Sequence, residues 1–135
     1  MDAALRNLVR SRAGNRCEYC LIHQEQDVFF TFPVDHIIAL QHGGKTEDAN
    51  LCLSCYRCNS HKGPNIASLD PETGELVRLY HPRRDHWSEH FDWQGALLVG
   101  GTAVGRATVM LLAVNHPDYV LLRESLIAEG TFPPT

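Results

Sequence analysis

The sequence predicts a single α+β domain whose core runs strand, loop, strand and helix. Residues 28–40 are rich in β-branched and aromatic side chains, and a second short apolar run occupies residues 50–55; both compositions are typical of strands. Cys-x-x-Cys pairs at residues 17–20 and 55–58 flank this segment and indicate a shared metal. With 135 residues, the chain is long enough for one domain with a modest core and too short for two ordinary domains.

The N-terminal elements follow from apolar spacing and from the positions of proline. Apolar residues recur at helical spacing over residues 3–12, which predicts a helix. Pro33 disfavours an earlier start, so the first strand is expected to begin near Val34. A helix is predicted over Tyr56–Ala67, and it must stop before Pro71. The apolar face of the first helix consists of Ala4, Leu5, Leu8 and Val9.

A C-terminal extension of a hairpin and two helices is predicted to follow this core. Residues 70–74 carry a strong turn signal, and Thr102 and Pro117 suit the first turns of two helices. The tail, residues 132–135, is expected to fray. The extension comprises a hairpin from residues 66–69 and 76–80, a strand at 96–99, and helices at 103–114 and 117–129.

The cysteines predict a structural zinc site. Two short loops that each supply two thiolates suit tetrahedral zinc, and an odd total of five cysteines argues against a fully paired disulfide framework. Cys52 also stands at Cys-x-x-Cys spacing from Cys55, so spacing alone leaves two ligand sets open. His23 lies near the first pair but is not needed where four thiolates are present. The two sets are Cys17, Cys20, Cys55, Cys58 and Cys17, Cys20, Cys52, Cys55.

The charge pattern argues against an indiscriminate nucleic-acid binder. The formal net charge is −4, and residues 64–135 carry all of the excess negative charge. Basic residues gather before Cys17 and form a local basic face, which is either a solvated helix face or a phosphate contact. The gathered residues are Arg6, Arg10, Arg12 and Arg16.

The chain is expected to be soluble and cytoplasmic, with no membrane partner. It has no run of about 18 apolar residues, and its first ten residues are charged rather than signal-like. Cys-x-x-Cys spacing in a reducing compartment favours metal ligation.

The segment from Cys17 to Gly63 resembles the HNH endonuclease family, within the ββα-metal or His-Me finger nucleases. The resemblance rests on CEYC, then VDHIIALQHGG, then an Asn before the second strand, then CYRCNSHKG, in the family's order. It covers about a third of the chain. The resemblance implies a ββα-metal core with a structural four-cysteine zinc site, and it favours Cys58 over Cys52 because the last pair directly precedes Asn59.

The resemblance also implies roles for individual residues. His36 resembles the general base, and Asp35 and Asn59 resemble the ligands of a catalytic Mg²⁺ or Mn²⁺ ion. Asn50 resembles the middle Asn that holds the loop between the strands by backbone hydrogen bonds. The chemistry agrees with these roles, because phosphodiester hydrolysis needs a deprotonated water and charge stabilisation, and oxygen donors suit hard cations.

One difficulty arises from strand geometry. Adjacent residues of a strand point to opposite faces, so Asp35 and His36 reach the same phosphate only if the strand ends or is distorted there. The sequence does not show whether it does.

Several residues are candidates for DNA contact. Basic residues within or just after the second Cys pair, or in the segment 79–91, are possible phosphate contacts, although helix solvation explains some of them equally well. The aromatic residues of segment 79–91 and its neighbourhood, Trp87, Phe91 and Trp93, either contact nucleic acid or anchor the C-terminal helices. The possible contacts are Arg57, His61, Lys62, Arg83 and Arg84.

The sequence therefore predicts a zinc-stapled HNH endonuclease that hydrolyses DNA, with RNA a less favoured substrate. We expect residues 1–16 to form the N-terminal helix, 17–68 the nuclease core and 69–135 the extension of one domain. One site addresses one strand, so a nicking monomer is favoured over a homodimer. The alternatives are a catalytically silent zinc module that binds nucleic acid or protein, and a nuclease subunit active only in a larger complex.

Overall fold

The computed structural model describes residues 1–134, and it confirms the α+β fold class. These residues form three two-stranded antiparallel sheets, five helices and three short 3₁₀ turns. The strands are β1 Val34–His36, β2 Leu51–Leu53, β3 Ala67–Leu69, β4 Leu76–Arg78, β5 Phe91–Gln94 and β6 Leu97–Gly100. The helices are α1 Ala3–Arg12, α2 Tyr56–Lys62, α3 Trp87–His90, α4 Ala103–Leu111 and α5 Pro117–Ala128.

The ββα core consists of β1, β2 and α2. The two strands pair antiparallel with Asp35 opposite Cys52, and the first strand begins at Val34 as predicted. The predicted helix over residues 56–67 is wrong at its C-terminal end, because α2 stops at Lys62. Gly63 has a φ of +51°, which favours glycine, and a proline follows it.

Helix α1 packs on the core mainly through Val9, whose side chain is fully buried. The rest of the predicted apolar face is less buried, and Leu8 remains 46% exposed. Two of the three arginines on α1 are bound to backbone carbonyls rather than free. Arg10 donates to the carbonyl of Phe32 at 2.7 Å, and Arg12 donates to the carbonyls of Asp48 and Leu51 at 2.6 Å. These two guanidinium groups therefore hold the chain on either side of β1 against α1.

The extension contains one more hairpin than the sequence predicted. The structure confirms the β3–β4 hairpin, the Thr102 cap of α4 and the proline at the start of α5. The strand at residues 96–99 pairs with β5, which was not predicted. Its signal was present, because Phe91 and Trp93 alternate with polar residues ahead of the tight turn at Gly95.

Aromatic residues join the extension to the core. Trp87 donates its indole N–H to the carbonyl of Tyr19 at 2.9 Å. Its ring also packs 5.3 Å from Phe91 and 6.0 Å from Trp93, measured between ring centroids. Trp93 in turn packs on Phe132, which is buried, so the tail is not frayed at that residue; Thr135 lies outside the described residues. These aromatics serve as internal anchors, which leaves Trp87 and Phe91 poorly placed to stack on bases.

A buried carboxylate connects the β3–β4 turn to α4. Asp70 is fully buried and accepts two hydrogen bonds from Arg106, at 2.9 and 2.8 Å. These hydrogen bonds hold the pKa of the Asp70 carboxyl below its usual range. Among residues 1–134, no helix is both long and apolar enough to cross a membrane.

Replacing Arg106 with glutamine is expected to lower the melting temperature, because it leaves the Asp70 carboxylate buried without its charged partner. A folded-state pKa below the unfolded value contributes stability above about pH 4, and this stability is lost only as pH falls further. The gap between the two melting temperatures should therefore be present at pH 8, where the Asp70 carboxylate is ionised, and should narrow only as acid protonates that carboxylate. Thermal unfolding followed by circular dichroism measures it, with exposed Arg84→Gln as the control. The absence of a gap at pH 8 would contradict the assignment.

Candidate functional site

Four cysteine thiols form a compact cluster where the first Cys loop meets the start of α2. The Sγ atoms of the cluster all lie within 4.8 Å of one another, and every one of the four residues is buried. Sulfurs bound about 2.3 Å from a tetrahedral zinc lie about 3.8 Å apart, and the Sγ atoms of Cys20 and Cys55 are separated by 3.8 Å. The donor set therefore fits structural zinc. The cluster consists of Cys17, Cys20, Cys55 and Cys58.

Backbone N–H groups support these thiols. The amide of Cys20 points at the sulfur of Cys17 at 3.5 Å, and the amide of Cys58 points at that of Cys55 at 3.4 Å. Burial raises the pKa of the Cys17 thiol, but hydrogen bonds from the other three thiols outweigh burial and lower it. Hydrogen bonds within the cluster and burial raise the pKa of the Cys20 and Cys58 thiols instead. Anionic sulfur is the form that binds zinc.

The alternative ligands do not belong to this cluster. Cys52 is fully buried in β2, with its sulfur 3.6 Å from the Tyr19 hydroxyl and 3.8 Å from Asp35. His23 accepts a hydrogen bond from the amide of Glu25 and caps a 3₁₀ turn. The set that includes Cys58 is therefore the one the fold assembles.

Asp35 is 8% exposed, and its side chain is directed toward α2 and Tyr19. Its Oδ2 atom lies 3.1 Å from the ammonium of Lys62 and accepts from the Tyr19 hydroxyl at 3.3 Å. Burial raises the pKa of the Asp35 carboxyl, and the charge of Lys62 counteracts it. Burial also raises the pKa of Tyr19 and of Cys52. Both groups therefore remain neutral donors to this carboxylate near neutral pH.

His36 ends β1 and is partly exposed. One ring nitrogen, Nε2, lies 2.9 Å from the hydroxyl of Thr46. If Nε2 carries the proton and donates to Thr46, Nδ1 keeps a free lone pair, which is what a general base requires. Thr46 was not singled out in the sequence, because nothing in its local pattern shows that the loop folds back onto the strand.

Asp35, His36 and Asn59 line one open cleft of about 340 Å³. Within residues 1–134 the side chain of Asn59 makes no protein hydrogen bond, so its amide oxygen is free for a ligand. A buried carboxylate oxygen and a free amide oxygen fit the preference of Mg²⁺ or Mn²⁺. The cleft thus brings together the three residues that the resemblance had singled out for chemistry.

Asn50 holds the loop between β1 and β2. Its side-chain oxygen accepts from the amide of Ile38 at 2.9 Å, and its amide group donates to the carbonyls of Ile38 and Lys45 at 3.0 and 2.9 Å. The backbone of Gly44 lies so close to Ile38 that a Cβ added at Gly44 would overlap the Ile38 carbonyl. Asn50 is 7% exposed, so its role is to shape the loop that contains Thr46.

Asn50→Ala should therefore weaken the loop, and with it the cleavage that the family resemblance predicts. Three hydrogen bonds are lost and buried backbone groups lose their partners, which costs on the order of 2–4 kcal/mol. We expect a lower melting temperature together with reduced cleavage, measured by calorimetry and a plasmid assay. Asn65→Ala, at an exposed asparagine outside the loop, is the matched control. Unchanged stability in Asn50→Ala would show that these hydrogen bonds are dispensable.

The predicted phosphate contacts divide into exposed side chains and side chains that are already bound to other groups of the protein. His61 and Arg84 are exposed. Arg57 stacks on the ring of Tyr119 with 3.5 Å between guanidinium carbon and ring centroid, and Arg83 pairs with Glu18. Lys62, only 2% exposed, is buried against Asp35 and is not available to a phosphate at the surface.

Comparison with known proteins gives two findings. Residues 17–65 match the family model described as HNH endonuclease. The Septu protein PtuA of Bacillus mycoides (strain KBAB4) is 25% identical over 148 aligned residues, which cover 93% of this chain and 21% of the relative. The chain thus spans about a fifth of the length of this curated relative. No solved structure matches the chain significantly.

Proposed function

We propose that this chain hydrolyses DNA phosphodiester bonds with a divalent metal ion, because residues 17–65 match the family model described as HNH endonuclease. The observation that carries the proposal is the cleft shared by Asp35, His36 and Asn59. His36 removes a proton from the attacking water through Nδ1, while Thr46 holds the ring by Nε2. Asp35 and Asn59 hold Mg²⁺ or Mn²⁺, which when bound stabilises charge on the phosphate and the leaving oxygen.

The zinc site has a different task in this proposal. Cys17 and Cys20 precede β1, whereas Cys55 and Cys58 begin α2. A metal shared by the two loops holds the helix that carries Asn59 against the strand that carries His36. Its four-sulfur ligand set leaves no open position for a substrate.

The test is incubation of the purified, zinc-loaded protein with supercoiled plasmid in Mg²⁺, Mn²⁺ or EDTA. We expect cleavage with either cation and none in EDTA, leaving 5′-phosphate and 3′-hydroxyl ends. With limiting enzyme, open circles should precede linear DNA, because one site cuts one strand per encounter. Linear DNA appearing first, with a dimeric mass in solution, would contradict the nicking monomer. No cleavage of the plasmid, nor of an RNA substrate incubated under the same conditions, would contradict an autonomous nuclease.

A second candidate is a nuclease subunit that is active only in a complex. It is supported by an exposed apolar loop, in which Val28 and Phe29 are 84% and 85% exposed. This loop borders an apolar groove of about 370 Å³ beside the zinc site, and such exposed apolar surface is typical of partner binding. Activity that appears only when a partner is added, and that Phe29→Asp removes, would favour this candidate.

A further inference from the structure

Lys62 is a buried cation at the junction of β1 and α2. Its side chain is 2% exposed, and its ammonium lies 3.1 Å from Oδ2 of Asp35 and 3.2 Å from the carbonyl oxygen of His36. A buried ammonium is costly unless it is paired and hydrogen-bonded, and these two contacts provide both. Lys62 therefore touches the two neighbouring residues of the strand that face the cleft.

The contacts around Asp35 are one-sided. Lys62, Tyr19 and Cys52 all approach the same oxygen, Oδ2, at 3.1, 3.3 and 3.8 Å. Among residues 1–134, no donor hydrogen-bonds to Oδ1. One carboxylate oxygen is thus occupied by the protein, and the other is left for a ligand in the cleft that Asp35 shares with Asn59.

The same lysine addresses the strand-geometry problem. β1 ends at His36, and Lys62, at the end of α2, donates a hydrogen bond to the carbonyl oxygen of His36. Lys62 also lies three residues after Asn59, so the two side chains share one helical face. The helix that offers Asn59 thus also holds the end of the strand that offers Asp35 and His36.

We propose that Lys62 is a positioning residue that presents Oδ1 of Asp35 to the divalent cation and holds the end of β1 in the geometry the cleft requires. The inference rests on the proposed function. It differs from a phosphate-contact role, because the ammonium faces the interior. It also differs from a simple counter-ion role, which predicts that removing a nearby positive charge strengthens cation binding.

The test measures Mn²⁺ binding to zinc-loaded protein by the loss of the free-ion signal in electron paramagnetic resonance, and does not depend on cleavage. Lys62→Met keeps the length of the side chain and removes its charge and hydrogen bonds. We expect the dissociation constant for Mn²⁺ to rise about 10- to 100-fold, as for other residues that orient metal ligands. Lys62→Arg should recover part of the affinity, because it keeps a cationic donor. Unchanged or tighter binding in Lys62→Met would overturn the proposal.

Controls separate positioning from general destabilisation and from failure of the proposed function. Arg123→Met removes another cation that is 2% exposed and donates to the backbone carbonyls of Ala96 and Val114. It should lower the melting temperature without changing Mn²⁺ affinity. All variants are measured below their melting temperatures with zinc content verified. The proposed catalytic site fails if the unsubstituted protein binds no Mn²⁺, or if Asp35→Ala does not remove that binding. If Asp35→Ala removes the binding but Lys62→Met binds Mn²⁺ as tightly as the unsubstituted protein, only the role of Lys62 fails.

Discussion

His36→Ala is expected to abolish DNA cleavage while the fold and the zinc content remain unchanged. His36 lines the cleft with Asp35 and Asn59, and its Nδ1 can accept a proton when Nε2 donates to the hydroxyl of Thr46. Loss of a general base reduces rates by about 10²- to 10⁴-fold. The rate of open-circle formation from supercoiled plasmid measures the loss.

The matched control is His42→Ala. His42 is an exposed histidine in the 3₁₀ turn Leu40–His42, six residues along the same loop, and it does not line the cleft. Its replacement should leave the rate within about twofold, since exposed substitutions away from a site have small effects. Asp35→Ala and Asn59→Ala should also reduce cleavage, and high Mn²⁺ should restore part of it because these residues act through the cation. A fully active His36→Ala protein would overturn the assignment of the base.

Replacing both Cys55 and Cys58 with serine is expected to release zinc and unfold the core. The two loops that share the metal are 35 residues apart in sequence, measured from Cys20 to Cys55. Structural zinc contributes on the order of 10 kcal/mol of apparent binding free energy at neutral pH, which is comparable to the whole stability of a small domain. Elemental analysis should find one zinc in the native protein and none in the variant, whose circular dichroism should show no cooperative melting transition.

Cys52→Ser is the control for this experiment. The Cys52 sulfur contacts Tyr19 and Asp35 rather than the four clustered thiols. The variant should therefore keep one zinc per chain, although its melting temperature will fall slightly because a buried side chain changes polarity. Native protein without zinc, or a zinc-free Cys52→Ser variant, would contradict the ligand set.

Local signals predicted much of the fold. The start of β1 at Val34, the Thr102 cap of α4 and the proline in the first turn of α5 each depend on one or two residues and were correct. The end of α2 was wrong because apolar residues after Gly63 were assigned to the helix, whereas Gly63 and Pro64 stop it and Ala67 enters β3.

The four clustered cysteines and the Asp35, His36 and Asn59 set were available before the structure only through the resemblance to the HNH family, because spacing alone left two cysteine sets open. Only the tertiary structure decided which lysine and arginine side chains are buried against a carboxylate. Lys62 is 26 residues from His36 along the chain, and Arg106 is 36 from Asp70. A lysine or an arginine has the same composition and local pattern whether it faces solvent or a buried carboxylate. Only the packing of α2 against β1, and of α4 against the β3–β4 turn, determines which cation loses its water and must find a partner within the protein.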